Sequence, residues 1–234
     1  MVDSVALRAR LAGVRERIAH AADRARRDPA TIRLVAVSKT FDADHVRAAA
    51  DAGQIDFGEN KVQEAIQKME RLSDLPLRWH LVGHLQSNKA KKAAQGFDTI
   101  HALDSAALGH TLDQAASVAN RRIELLVQVD LAREPTKHGV GEDELAALCE
   151  VAHGWSAARL AGLMLLPPAV EHPDEARPYF NALGLVRDRL VASGVDRTML
   201  QELSMGMSHD FEVAVEEGAT LVRVGTAIFG SRTR

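Results

Sequence analysis

Eight short runs of small, β-branched and apolar residues punctuate this chain, and a helical pattern follows each of the first seven. The runs are Leu34–Ser38, Asp56–Glu59, Trp79–Val82, Thr99–Leu103, Ile123–Val129, Leu160–Leu166, Gln201–Met205 and Thr220–Val224. The intervening segments, such as DADHVRAAADAG and GEDELAALCEVAHG, are rich in alanine and leucine, and several end in glycine, a common helix stop. This alternation predicts parallel βαβ units. Eight strands are the number that closes a (β/α)8 barrel. A doubly wound open sheet is the competing architecture, but it favours a glycine-rich first turn, and the turn here reads SKTFDADH. The expectation is a single (β/α)8 TIM barrel spanning residues 1–234 as one domain. An extra N-terminal helix carries Leu7, Leu11, Val14 and Ile18 on one face and ends before Asp28-Pro29.

Composition narrows the function. A net charge of -3 argues against a general binder of nucleic acid or membrane surfaces. No stretch of about 18 apolar residues is present, so no membrane span is expected. The arginine-rich N-terminus also carries acids and lacks the apolar core of a signal peptide. The single cysteine, Cys149, falls in a helical pattern and is expected at the core edge, which fits a reducing compartment. A cytoplasmic location follows, and the polar balance of the surface favours a monomer.

In such a barrel the chemistry collects at the C-terminal ends of the strands. The first strand delivers Lys39 there. Burial would lower its amine pKa and free the lone pair for attack on an aldehyde, whereas a lysine that snorkels to solvent would do nothing. Strand seven runs into SMGMSHD and strand eight into RVGTAIFG. Ser204, Gly206 and Ser208 precede one helix, and Gly225 and Thr226 precede a possible short one. Glycines admit a ligand close to backbone, and hydroxyls and N–H groups at helix starts bind phosphate. The plain alternative is an N-cap serine and turn glycines. Period-two alternation puts Arg223 on the face of Gly225. It either pairs with a barrel carboxylate such as Glu202 or contacts a ligand heteroatom.

The segments RLVAVSKT, FGENKVQEA, WHLVGHLQSNK, LAGLMLLPP and ELSMGMSHDFEVAVEEGATLVRVGTAIFGSR resemble the pyridoxal phosphate homeostasis protein family over about Ile32 to Arg232. The resemblance implies the alanine racemase N-terminal barrel, fold type III among pyridoxal phosphate (PLP) proteins. It implies that Lys39 holds PLP as an internal aldimine. Phosphate contacts are implied from Ser208, Gly225 and Thr226, with the backbone near Met207 assisting. Arg223 is implied to face the pyridine nitrogen, with Asn60 and His80 lining the other side of the ring. The strand-five loop AREPTKHG departs from the family pattern, although Lys137 and Gly139 keep their places.

An arginine at the ring nitrogen leaves that nitrogen unprotonated and the ring a weaker electron sink. Racemases of this type add a tyrosine base from a second domain. Here the only tyrosine is Tyr179, and no second domain is expected. The chain therefore reads as a PLP carrier in cofactor homeostasis, without strong turnover and with apo PLP-dependent enzymes as possible recipients. No catalytic or metal-ligating residues are assigned. A small amino-acid racemase is the alternative, and a Schiff-base aldolase a weaker third reading.

Overall fold

The computed structural model describes residues 2–131 and 139–230. Eight parallel strands close into one barrel in sequence order. They are β1 (Arg33–Val37), β2 (Asp56–Glu59), β3 (Arg78–Leu81), β4 (Thr99–Leu103), β5 (Ile123–Gln128), β6 (Ala158–Met164), β7 (Glu202–Ser204) and β8 (Leu221–Val224). Helices α1 (Ser4–Arg24), α2 (Ala43–Asp51), α3 (Val62–Arg71), α4 (Ala90–Gly96), α5 (Ala106–Val118), α6 (Glu142–Ala152), α7 (Arg177–Ala192), α8 (Phe211–Glu216) and α9 (Thr226–Phe229) complete the fold. The predicted architecture is therefore found, with strand ends moved by one or two residues.

Closure is made where β1 pairs with β8, with Val35 opposite Arg223 and Ala36 opposite Val224. A large apolar cluster fills the space between sheet and helices. A second, small one lies inside the barrel and is built from Val35, Ala102, Leu126, Ala161, Met164 and Leu221. Branched apolar side chains usually fill such an interior. Here they share it with His80, His101, Ser204 and Arg223, all buried.

Helix α1 starts on the carboxylate of Asp3, which accepts from the Ala6 amide at 2.9 Å. It buries Leu7, Leu11, Val14 and Ile18, as their helical spacing predicts. The helix packs on α8, α9 and α2. Arg10 Nε donates to the Ile228 carbonyl of α9 at 2.7 Å, and the Arg17 guanidinium lies 4.6 Å over the Phe211 ring. The extra helix thus braces the elements that follow strands seven and eight. Leu11→Ala should cost about 2–5 kcal/mol of stability, read from chemical denaturation, because the cavity it leaves is enclosed on all sides. Cys149 is buried at the inner face of α6, and burial pushes its thiol up to about 11.

Candidate functional site

The end of β1 is set by a buried ionic group. The Ser38 hydroxyl donates to Glu59 Oε1 at 2.6 Å. Lys68 Nζ, reaching in from α3, donates to the same oxygen at 2.5 Å and to the Ser38 carbonyl at 2.8 Å. Glu59 Oε2 is buried and has no hydrogen-bond partner among the described residues. Burial raises the Glu59 carboxyl above its usual range, and the hydrogen bonds from Lys68 and Ser38 offset only part of this. Ser38 takes the last buried position of the segment, and Lys39 then emerges at the rim. Of the two readings of Lys39, buried or reaching to solvent, the structure shows the second, since the residue is exposed. Thr40 follows at φ 73°, a conformation that costs a β-branched residue about 1–3 kcal/mol. Phe41 then stacks on Phe229, ring centroids 5.2 Å apart, which couples the Lys39 turn to α9.

The loops after β7 and β8 meet beside it. Gly206 has φ 88°, and a Cβ there would lie 2.5 Å from Ala214 Cβ and 2.9 Å from Phe211 Cα. Only glycine lets the chain turn this tightly over α8. Ser208 Oγ accepts from the amides of Gly225 at 3.1 Å and Ala227 at 3.4 Å. Among the described residues no acceptor takes its own proton. The Met207 amide donates to Asp210 Oδ1 at 2.6 Å, so that group is already engaged and does not wait for a phosphate.

Arg223 is 3% exposed. Its Nη1 donates to Ser204 Oγ at 2.5 Å and its Nη2 to the Leu165 carbonyl at 2.8 Å. Burial lowers its pKa to about 10, so the guanidinium stays charged near neutrality. The ion pair with Glu202 does not form, because Glu202 is held by Arg33 at 3.2 Å and by the Thr220 hydroxyl.

These elements enclose a cavity of about 630 Å³ at the C-terminal mouth. Lys39, Asn60, Met207, Ser208, Arg223, Gly225 and Thr226 all line it. His80 does not. The strand register puts Val82 and Gly83 at the rim and leaves His80 deeper, bonded to Asp56 and His101 and bordering a separate cavity of about 740 Å³ that also takes in Arg33, Arg78 and Arg122. Ser204 is likewise inside the barrel rather than in the loop cradle. Lys137 lies outside the described residues.

The family model for the alanine racemase N-terminal domain matches residues 10–233. The chain belongs to this family. Among curated members, it is 42% identical to the pyridoxal phosphate homeostasis protein of Aquifex aeolicus, over 95% of this chain and 97% of that protein. It is 41% identical to the protein of the same name from Pseudomonas aeruginosa, over 95% and 94% of the two chains. The structure of PipY from Synechococcus elongatus with PLP bound superposes with a TM-score of 0.85 at 40% identity, covering 96% of this chain and all of that one. Membership of the alanine racemase N-terminal domain family agrees with the closed eight-stranded barrel.

Among the lining residues not expected as site members are Gln128, Leu166, His84 and His209. Each lies at the exit of β5, β6, β3 or β7, so an inspection of every strand exit, rather than of glycine and lysine motifs alone, finds them.

Proposed function

We propose that this chain binds pyridoxal 5′-phosphate at the barrel mouth, attaches it through Lys39 and serves cofactor handling rather than substrate turnover. One observation carries the reading: an amine, a hydroxyl-and-glycine cradle and a buried guanidinium line a single cavity. Its volume falls within the roughly 300–1,000 Å³ typical of small-molecule sites. The names of the homologous homeostasis proteins and the PLP-bound PipY support it.

When bound, the group brings a reactive aldehyde and an electron-accepting ring. Everything else falls to this chain. Lys39 supplies the nitrogen that takes the aldehyde. Ser208 offers its free proton to the phosphate, beside Gly225 and Thr226 at the start of α9. Asn60, which lines the same cavity, would help hold the ring, its backbone fixed by Gly83, where a Cβ would come within 2.4 Å of the Asn60 carbonyl. Arg223 can only donate, so it would hold the cofactor through an unprotonated ring nitrogen, which would leave the ring a poor electron sink. Tyr179 packs against the apolar core in the first turn of α7 and does not line the mouth. This arrangement favours holding over turnover. Delivery to apo PLP-dependent enzymes and a monomeric state complete the proposal.

The racemase alternative rests on His84 and His209, which line the same mouth and could serve as a second base. Chiral analysis after incubation of the loaded protein with L-alanine separates the two. Turnover of many molecules per second would favour the racemase, and the present reading expects a trace at most. Arg223→Ala should weaken PLP binding about tenfold or more, measured by equilibrium dialysis, while competition by inorganic phosphate persists.

A further inference from the structure

A line of buried polar groups crosses the barrel interior from its N-terminal end to Arg223. Arg78 Nη2 donates to Asp56 Oδ2 at 2.7 Å. His80 Nε2 lies 2.9 Å from Asp56 Oδ1, and His80 Nδ1 lies 3.0 Å from His101 Nε2. His101 Nδ1 lies 2.8 Å from Ser204 Oγ, which accepts from Arg223 Nη1 at 2.5 Å. Asp56, His80, His101, Ser204 and Arg223 are all at least nine-tenths buried. They come from β2, β3, β4, β7 and β8, so five strands contribute one link each.

One proton arrangement satisfies every link. Ionised Asp56 accepts from His80 Nε2–H. Neutral His80 then accepts at Nδ1 from His101 Nε2–H. Neutral His101 accepts at Nδ1 from the Ser204 hydroxyl, whose oxygen accepts from Arg223. Every donor points the same way, from the buried cation toward the buried anion. A charged His80 would turn His101 round and strand the Ser204 proton inside the barrel, where unpaired donors are costly. Burial holds His101 well below its usual pKa, which agrees with its neutral form. Asp56 is pushed up by burial, yet the hydrogen bonds from His80 and Arg78 outweigh this and leave it below its usual range.

We infer that Asp56, His80, His101 and Ser204 are positioning residues that hold the Arg223 guanidinium in one orientation as a donor to the ring nitrogen of the bound ligand. This rests on the reading of Arg223 given under Proposed function. The Ser204 link occupies one Nη1 proton and Leu165 one Nη2 proton. The guanidinium is thereby locked about its long axis, with its other donors left for the mouth cavity that Arg223 lines. None of Asp56, His101 and Ser204 borders that cavity, so an effect of theirs on the ligand must pass through Arg223. A relay of this kind needs no proton transfer. It works because rotation of Arg223 would break a chain in which each bond polarises the next.

The test loads the full chain with PLP labelled with ¹⁵N at the ring and compares Ser204→Ala, His101→Leu and Arg223→Ala. Ring-nitrogen NMR shift and PLP affinity are read on each folded variant. Ser204→Ala removes one buried hydroxyl and keeps the carbon frame, so it carries the test if His101→Leu does not fold. The relay predicts that Ser204→Ala moves the ring-nitrogen signal in the same direction as Arg223→Ala and weakens binding about tenfold, as loss of a hydrogen bond to a charged group does. A purely structural role would lower the melting temperature and leave the ring-nitrogen signal where it is in the unaltered protein. If Arg223→Ala shifts the signal while Ser204→Ala and His101→Leu leave both readouts unchanged, the relay is wrong and the reading of Arg223 survives. If Arg223→Ala itself leaves the signal unchanged, Arg223 does not face the ring, and the relay loses its purpose with it.

Discussion

Replacement of Lys39 by alanine is expected to abolish covalent attachment of PLP without disturbing the fold. The side chain is exposed at the rim, so its loss should change stability by no more than about 0.5 kcal/mol. The amine is the one group of the mouth cavity suited to attack an aldehyde, because no other lysine lines it among the described residues. Borohydride treatment followed by gel filtration should leave the unaltered protein carrying cofactor and the Lys39→Ala protein carrying none. Weak, reversible binding should persist in the variant, since Ser208, Gly225 and Thr226 are unaffected. Circular dichroism of both proteins checks that the fold is intact. Retention of borohydride-fixed cofactor by Lys39→Ala would show that a different lysine is used.

The largest stability effect is expected at the buried pair bonded to Ser38, Glu59 with Lys68. Lys68→Met removes the cation from a carboxylate that is fully buried and already has one oxygen without a partner among the described residues. Leaving a buried charge unpaired costs about 3–5 kcal/mol. The Ser38 carbonyl loses its donor in the same step. The pair Glu59→Gln with Lys68→Met should recover most of the loss, because the neutral amide still accepts from the Ser38 hydroxyl and no unpaired charge remains. Urea denaturation of the single and double variants measures both values. A single variant within about 1 kcal/mol of the unaltered protein would place this ion pair with surface pairs of little worth. The functional link is short: Ser38 is bonded to Glu59 and Lys68, and Lys39 is the next residue. A loosened β1 end should also slow attachment of PLP, and the double variant should restore it.

The barrel was legible because periodicity is local. Each strand announces itself within a few residues, and β2 and β4 fall on the expected residues. The ends drift where tertiary geometry intervenes. β7 stops at Ser204 because Gly206 turns the chain at φ 88°, and it starts at Glu202 because a helical turn over Arg197–Leu200 precedes it. The mouth residues were legible for the same reason, as Lys39, Ser208, Gly225 and Thr226 sit directly after strands. Arg223 followed from alternation along β8. His80 was misplaced because WHLVGH has a histidine on either side of the rim, and only the pairing of β3 with its neighbours decides which one reaches the mouth. The interior chain of Asp56, His80, His101 and Ser204 has no local signature. His101 and Ser204 are 103 positions apart and meet only when the barrel closes. The Lys68–Glu59 pair is closer in sequence but joins a helix face to a strand interior, and an isolated lysine in a helix reads as a solvated charge.

On the function proposed above, Lys39, the residues Ser208, Gly225 and Thr226, and Arg223 act on one ligand. The most direct test of this is to load the purified protein with PLP, reduce with borohydride, digest, and map the added mass by tandem mass spectrometry. A single modified residue, Lys39, is expected, with labelling suppressed by excess inorganic phosphate. Modification spread over exposed lysines such as Lys61, or a protein that takes up no PLP at all, would contradict it.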